Sequence, residues 1–141
     1  MHLTFSLLKK IIPELNRQVI TVERIIHVFY QRHIEFHELP LYDEDNGAFI
    51  SRDGKSYVFI RYALKQILKH ETILHEGCHA FMHSKAPFLQ WRQQLEADCF
   101  ALVGMMPVTD LPRLNRIRHQ LEPETYELLM RRNRAKENWN L

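Results

Sequence analysis

Residues 71–83 read ETILHEGCHAFMH and place His75, His79 and His83 at intervals of four. Residues 63–82 contain no proline and only one glycine, so we predict a helix here. Positions four apart on a helix share one face, and His75 and His79 can therefore bind a single ion. An apolar stripe adjoins the histidines and places them at the edge of the buried face, formed by Ile73, Leu74, Cys78, Phe81 and Met82.

The pair His75 and His79, with Glu76 between them, has the spacing of a zinc-hydrolase helix. In that chemistry the two imidazoles bind zinc and the glutamate is the general base toward a metal-bound water. A histidine-rich surface helix is the alternative, and the adjoining apolar stripe argues against it. His83 lies ~6 Å further along the axis, so we expect it to support the site rather than bind the metal. Cys78 belongs to the apolar stripe and is predicted to be a core residue.

A third zinc ligand is expected from the next helix, predicted over residues 91–106 (WRQQLEADCFALVGMM) and stopped by Pro107. Asp98 lies on an apolar face of that helix, where a carboxylate needs a cation or a strong donor as its partner. Such a partner is either the metal or the free ring N–H of a metal-bound histidine. Gln94 is one turn away on the same side. Glu96 points roughly opposite, where we expect a solvated ion pair with Arg92.

The chain before residue 63 predicts one helix and three strands. Thr21 is a suitable N-cap for a helix with apolar residues at 22, 25, 26 and 29. Residues 34–39 alternate apolar and polar side chains up to Pro40 and are predicted to be a strand. Two further β-rich runs, GAFIS and SYVFIR, flank Asp53-Gly54, a dipeptide typical of a hairpin turn.

These elements favour an α+β fold, a small antiparallel sheet packed on helices. No linker or repeat divides the chain, so we predict a single domain over residues 1–141. Its C-terminal part, residues 108–141, is predicted to form two more helices separated near Glu122-Pro123.

Composition excludes several classes of protein. The formal net charge of +2 gives no strong attraction to nucleic acid or membranes, and the arginines of the tail are interleaved with acids. Two cysteines are too few for a disulfide framework. We see no signal peptide and no apolar run of the ~20 residues that a membrane helix needs. A cytoplasmic protein without membrane or direct nucleic-acid partners is expected.

The segments ILHEGCHAFMH, APFL and LEADCFALVGMMP together resemble the ImmA/IrrE family of regulatory metallopeptidases. That family has a strand pair, an HExxH helix with a further histidine four residues on, and a helix with ExxA[ND]xFA before Met-Pro. The likeness covers residues 22–107. It implies a zincin-like, specifically gluzincin-like, fold with one zinc per chain, His75 and His79 as ligands and Glu76 as base. It also implies a helix-turn-helix repressor as substrate, cleaved to induce mobile-element or stress genes.

The chain departs from the family at the third ligand, because Gln94 stands where the family has glutamate. A neutral amide oxygen is a poorer zinc ligand than a carboxylate. Asp98 is our first candidate for the third ligand. The runners-up are Glu96, recruited by a helix adjustment, and Gln94 itself in a weakened site. We therefore predict a zinc endopeptidase that holds its substrate as an added strand at the sheet edge. The alternative is an inactive zincin-like module that binds a repressor without cleaving it.

Overall fold

The computed structural model describes residues 2–40, 46–85, 91–105 and 130. Within them the chain forms an α+β fold, which confirms the predicted class. The elements in chain order are α1 (His2–Ile11), α2 (Val22–Gln31), β1 (Ile34–Leu39), β2 (Gly47–Arg52), β3 (Lys55–Arg61), α3 (Gln66–Met82) and α4 (Trp91–Met105). The helices predicted over residues 108–141 and the helix end at Pro107 lie outside the described residues.

The three strands form one mixed sheet in the order β1-β3-β2. β2 and β3 are the predicted antiparallel hairpin, and Asp53 and Gly54 at its tip have φ angles of 53° and 77°. Both values are in the left-handed region that tight hairpin turns require. β1 instead runs parallel to β3, from Ile34 opposite Ser56 onward. The sheet is therefore mixed and not, as was predicted, antiparallel throughout. β3 lies between β1 and β2, and the hairpin turn directs β3 parallel to β1.

α2 begins and packs as the sequence predicts. The side chain of Thr21 accepts a hydrogen bond from the backbone N–H of Arg24, which caps the helix. Glu23 lies in the first turn, where the helix dipole favours a negative charge. The buried side of the helix faces β1 and α3 and consists of Ile25, Val28 and Phe29.

α1 is not among the elements predicted above. Leu8, Ile12 and Leu15, in α1 and the turns after it, are fully buried and join the core. Ile20, two residues before α2, makes backbone contacts with two other helices. Its N–H donates to the carbonyl of Gly104 at 2.8 Å, and its own carbonyl is 2.6 Å from Nε2 of His70. The N-terminal segment is thus fastened to both α3 and α4.

α3 begins at Gln66, later than the predicted start near Ala63. Ala63 has a φ angle of 66°, a left-handed conformation that a helix cannot contain. Close packing then sets the position of α3. A Cβ on Gly77 would lie 3.0 Å from Phe29, and a Cβ on Gly47 would lie 2.6 Å from Thr72. Both glycines are therefore needed where α2 and β2 approach α3.

α4 lies against α3 and is buried on most of its sides. This pairing is the most extensive helix contact among the described elements. Five side chains of α4 are completely buried: Ala97, Phe100, Ala101, Leu102 and Val103. Glu96, in the first half of this helix, is buried among other protein groups, whereas Gln94 is exposed.

Candidate metal centre

His75 and His79 lie side by side on α3, as the spacing predicts. Their ring centroids are 4.9 Å apart and the ring planes are nearly perpendicular, at 84°. His79 is buried and His75 half-buried. Both Nε2 atoms approach a single atom of α4, since Oε1 of Gln94 lies 3.0 Å from Nε2 of His75 and 3.1 Å from Nε2 of His79. Two imidazoles and one amide thus converge on one point.

Asp98 lies behind His75 rather than beside the two Nε2 atoms. Its Oδ1 is 2.9 Å from Nδ1 of His75, and both atoms are buried. The sequence predicted either a metal or a histidine ring N–H as the partner of this carboxylate, and the structure places Nδ1 of His75 beside it. Asp98 as third ligand stays a prediction, and it requires the side chain to leave Nδ1. The oxygen that lies near both Nε2 atoms is Oε1 of Gln94.

His83 and Glu96 form a second line of contacts behind His79. Nδ1 of His83 is 2.8 Å from Nδ1 of His79, and Nε2 of His83 is 3.3 Å from Oε1 of Glu96. His83 and Glu96 are each 7% exposed. The predicted solvated position of Glu96 is therefore wrong, because α4 is enclosed on the side that was assigned to solvent. Glu96 contacts His83 through Nε2 of that ring.

Glu76 follows His75 in α3 and is half-buried, and its negative charge helps raise the pKa of that imidazole. The edge strand β2 also borders the centre. The ring of Phe49 in β2 is 6.2 Å from the ring of His79, with the planes tilted by 33°. The centre therefore lies between α3, α4 and an edge of the described sheet.

Burial and charge set the protonation of the three histidines differently. Burial, together with the repulsion from a positive charge on His75, lowers the pKa of His79 to about 3. Burial also lowers the pKa of His83, although Glu96 opposes the shift. Burial acts in the same direction on His75, but the hydrogen bond to Asp98 and nearby carboxylates outweigh it and raise the pKa. His79 and His83 are therefore neutral at neutral pH.

These contacts determine where the ring protons lie. A carboxylate can only accept, so neutral His83 carries its proton on Nε2, toward Glu96. Its bare Nδ1 then accepts from Nδ1–H of His79, which leaves Nε2 of His79 with a lone pair. Oδ1 of Asp98, 2.9 Å from Nδ1 of His75, likewise favours a proton on that nitrogen. When both rings are neutral, these contacts leave the lone pair of each ring on Nε2, the nitrogen that faces Gln94.

Two imidazole lone pairs facing an amide oxygen fit a transition-metal ion of the zinc type. Two ligand atoms of one tetrahedral zinc are ~3.3 Å apart, so the distances of 3.0 and 3.1 Å are slightly short for such an ion. Among the described residues, no three or more His, Cys, Asp and Glu side chains form a metal-binding group. The third side chain at this point is the amide of Gln94, which carries no charge.

Comparisons with protein-family models, with curated proteins and with solved structures found no match to this chain. No helix in the described part of the chain is long and apolar enough to cross a membrane.

Proposed function

We propose that this chain is a zinc-dependent endopeptidase whose substrate is a regulatory protein, a helix-turn-helix repressor. The main support is the convergence of both Nε2 atoms on Oε1 of Gln94, with Glu76 next to His75. A bound zinc ion would supply a Lewis acid that polarises the scissile carbonyl and acidifies a water molecule.

The residues of the chain have separate roles in this proposal. His75 and His79 would hold the metal through Nε2, and the amide oxygen of Gln94 would complete the protein ligands. Asp98 orients His75 through Nδ1. Glu76 is the general base, which accepts a proton from the attacking water and returns it to the leaving amine.

An extended polypeptide fits the surface beside the centre. β2 is an edge strand of the described sheet, and Phe49 of this strand lies against His79. A substrate segment added along β2 would pair through its main chain and bring a peptide bond near the histidines. The repressor as substrate class comes from the resemblance of the motifs, and main-chain pairing is consistent with any protein substrate.

One observation favours a second function, a binding module that holds the repressor without cutting it. Gln94 is an amide, and its NH₂ group has two donors that can satisfy both Nε2 lone pairs in place of a metal. A centre closed in this way would keep its shape without zinc.

Zinc analysis and a single substitution separate these functions. For the peptidase we expect about one zinc per chain in the purified protein, and cleavage of a repressor encoded near its gene. Glu76→Gln should keep zinc but slow cleavage ~10²–10⁴-fold, because an amide cannot take the proton. No zinc uptake together with intact repressor binding would refute the peptidase and support the binding module.

A further inference from the structure

Behind the converging atoms, a buried chain of polar contacts runs from His79 through His83 to Glu96. His83 is the C-cap residue of α3, and its backbone N–H donates to the carbonyl of His79 at 2.8 Å. This backbone contact places the two rings one turn apart, with 2.8 Å between their Nδ1 atoms. Glu96 then approaches the far nitrogen of His83 at 3.3 Å.

We propose that His83 and Glu96 are positioning residues that keep the proton of His79 on Nδ1. Its Nε2 lone pair then stays directed at the point shared with His75 and Gln94. The inference deepens the proposed function and rests on it, since it assigns the support of one metal-holding histidine.

Helix α4 supports His75 directly and His79 through His83. Asp98 of α4 reaches His75 directly, at 2.9 Å. The neighbouring carboxylate of α4, Glu96, contacts His83, which in turn contacts His79. A neutral imidazole has one nitrogen that donates and one that accepts. If Nε2 of His83 donates to Glu96, its Nδ1 must accept, and the proton of His79 is then favoured on Nδ1. Each ligand ring is thereby held by a carboxylate, directly or through one intermediate ring.

Burial argues that this arrangement is not incidental. His79, His83 and Glu96 are all less than a tenth exposed. Buried charged and polar groups are costly, and apolar side chains of similar volume would often pack there as well or better. The buried carboxylate of Glu96 can fix which ring nitrogen carries the proton in His83 and, through His83, in His79. An apolar side chain cannot select a tautomer in this way.

The test measures ¹⁵N NMR shifts of the histidine rings in the full chain without zinc, and zinc affinity by competition with a chelator. Wild type should show His79 with its proton on Nδ1. Glu96→Leu and His83→Phe should shift His79 toward the other tautomer and weaken zinc binding ~10–100-fold. Thr72→Val is the matched control, since it removes another buried polar group of α3, the hydroxyl that donates to the carbonyl of Leu68. It should leave the His79 tautomer unchanged.

The proposal is overturned if a folded Glu96→Leu or His83→Phe chain keeps both the tautomer of His79 and the zinc affinity of wild type. A shift of equal size in Thr72→Val would overturn it as well, because the effect would then follow from loosened packing. Should one of the two variants fail to fold, the other decides. A wild-type chain that takes up no zinc refutes the proposed function, while the tautomer in the zinc-free protein still tests the support of His79.

Discussion

Gln94→Glu tests the centre most directly, because it changes only the charge of the group that faces both histidines. The carboxylate has the same length, so its oxygen can occupy the position 3.0 and 3.1 Å from the two Nε2 atoms. We expect zinc to bind this variant more tightly than it binds wild type. The same substitution should disfavour the zinc-free form, since a carboxylate facing two lone pairs needs a proton between them.

The size of the effect follows from Coulomb's law. A negative charge ~2 Å from a dication gains ~4 kcal/mol at the dielectric constant of water. Gln94 is exposed, so a dielectric constant near that of water is appropriate here. Lost hydration of the carboxylate offsets part of this gain. We therefore expect a net gain of ~1.4–3 kcal/mol, or roughly tenfold to a hundredfold in the zinc dissociation constant.

Competition with a chelator of known zinc affinity measures this change in wild type, Gln94→Glu and Gln93→Glu. The last variant adds the same charge one residue earlier on α4 and should have little effect. Unchanged or weaker zinc binding in Gln94→Glu would refute Gln94 as the third ligand. Equal tightening in both variants would show that only the net charge of the helix matters.

Three further outcomes are expected. Asp98→Asn should weaken zinc binding ~10–100-fold and lower the pKa of His75, measured by chelator competition and NMR titration, because the amide cannot stabilise a positive ring. Ala63→Gly should raise the free energy of unfolding by about 1 kcal/mol in urea, because Ala63 has a left-handed φ of 66°; no gain would argue against strain there. The Arg24 guanidinium, through its hydrogen bond, holds the pKa of Glu14 below its ordinary value, so this pair should stabilise the fold above pH ~5 and lose that contribution as the pH falls further. Glu14→Gln should flatten the dependence of stability on acid pH, and an unchanged profile would count against the pair.

Local features of the fold were predictable from the sequence because short-range chemistry decides them. Thr21 caps α2 and Asp53-Gly54 turns the hairpin through their own side-chain and backbone preferences. The direction of β1 was not predictable in this way. Alternation along the chain indicates strands, but the spatial order β1-β3-β2 depends on where the chain crosses the sheet.

The candidate site was predictable to the same extent. The helical spacing of His75 and His79 predicted that their rings share one face of a helix, and the structure brings the two rings together there. The place of Glu96 was missed, because the angle around one helix does not reveal which sides of that helix are enclosed. The sequence does indicate that α4 is enclosed, because the apolar residues after Glu96 are distributed around the helix and do not form a single stripe.

The division of the site between two helices has a thermodynamic consequence. α3 supplies the rings, whereas α4 supplies Gln94, Asp98 and Glu96, so the site exists only when the two helices are docked. Any ion that binds there would bind the docked chain alone and stabilise it by mass action, ~2.7 kcal/mol at a free concentration a hundred times the dissociation constant. The supply of metal would then set the fraction of chains in which α4 is docked, and so the fraction open to proteolysis.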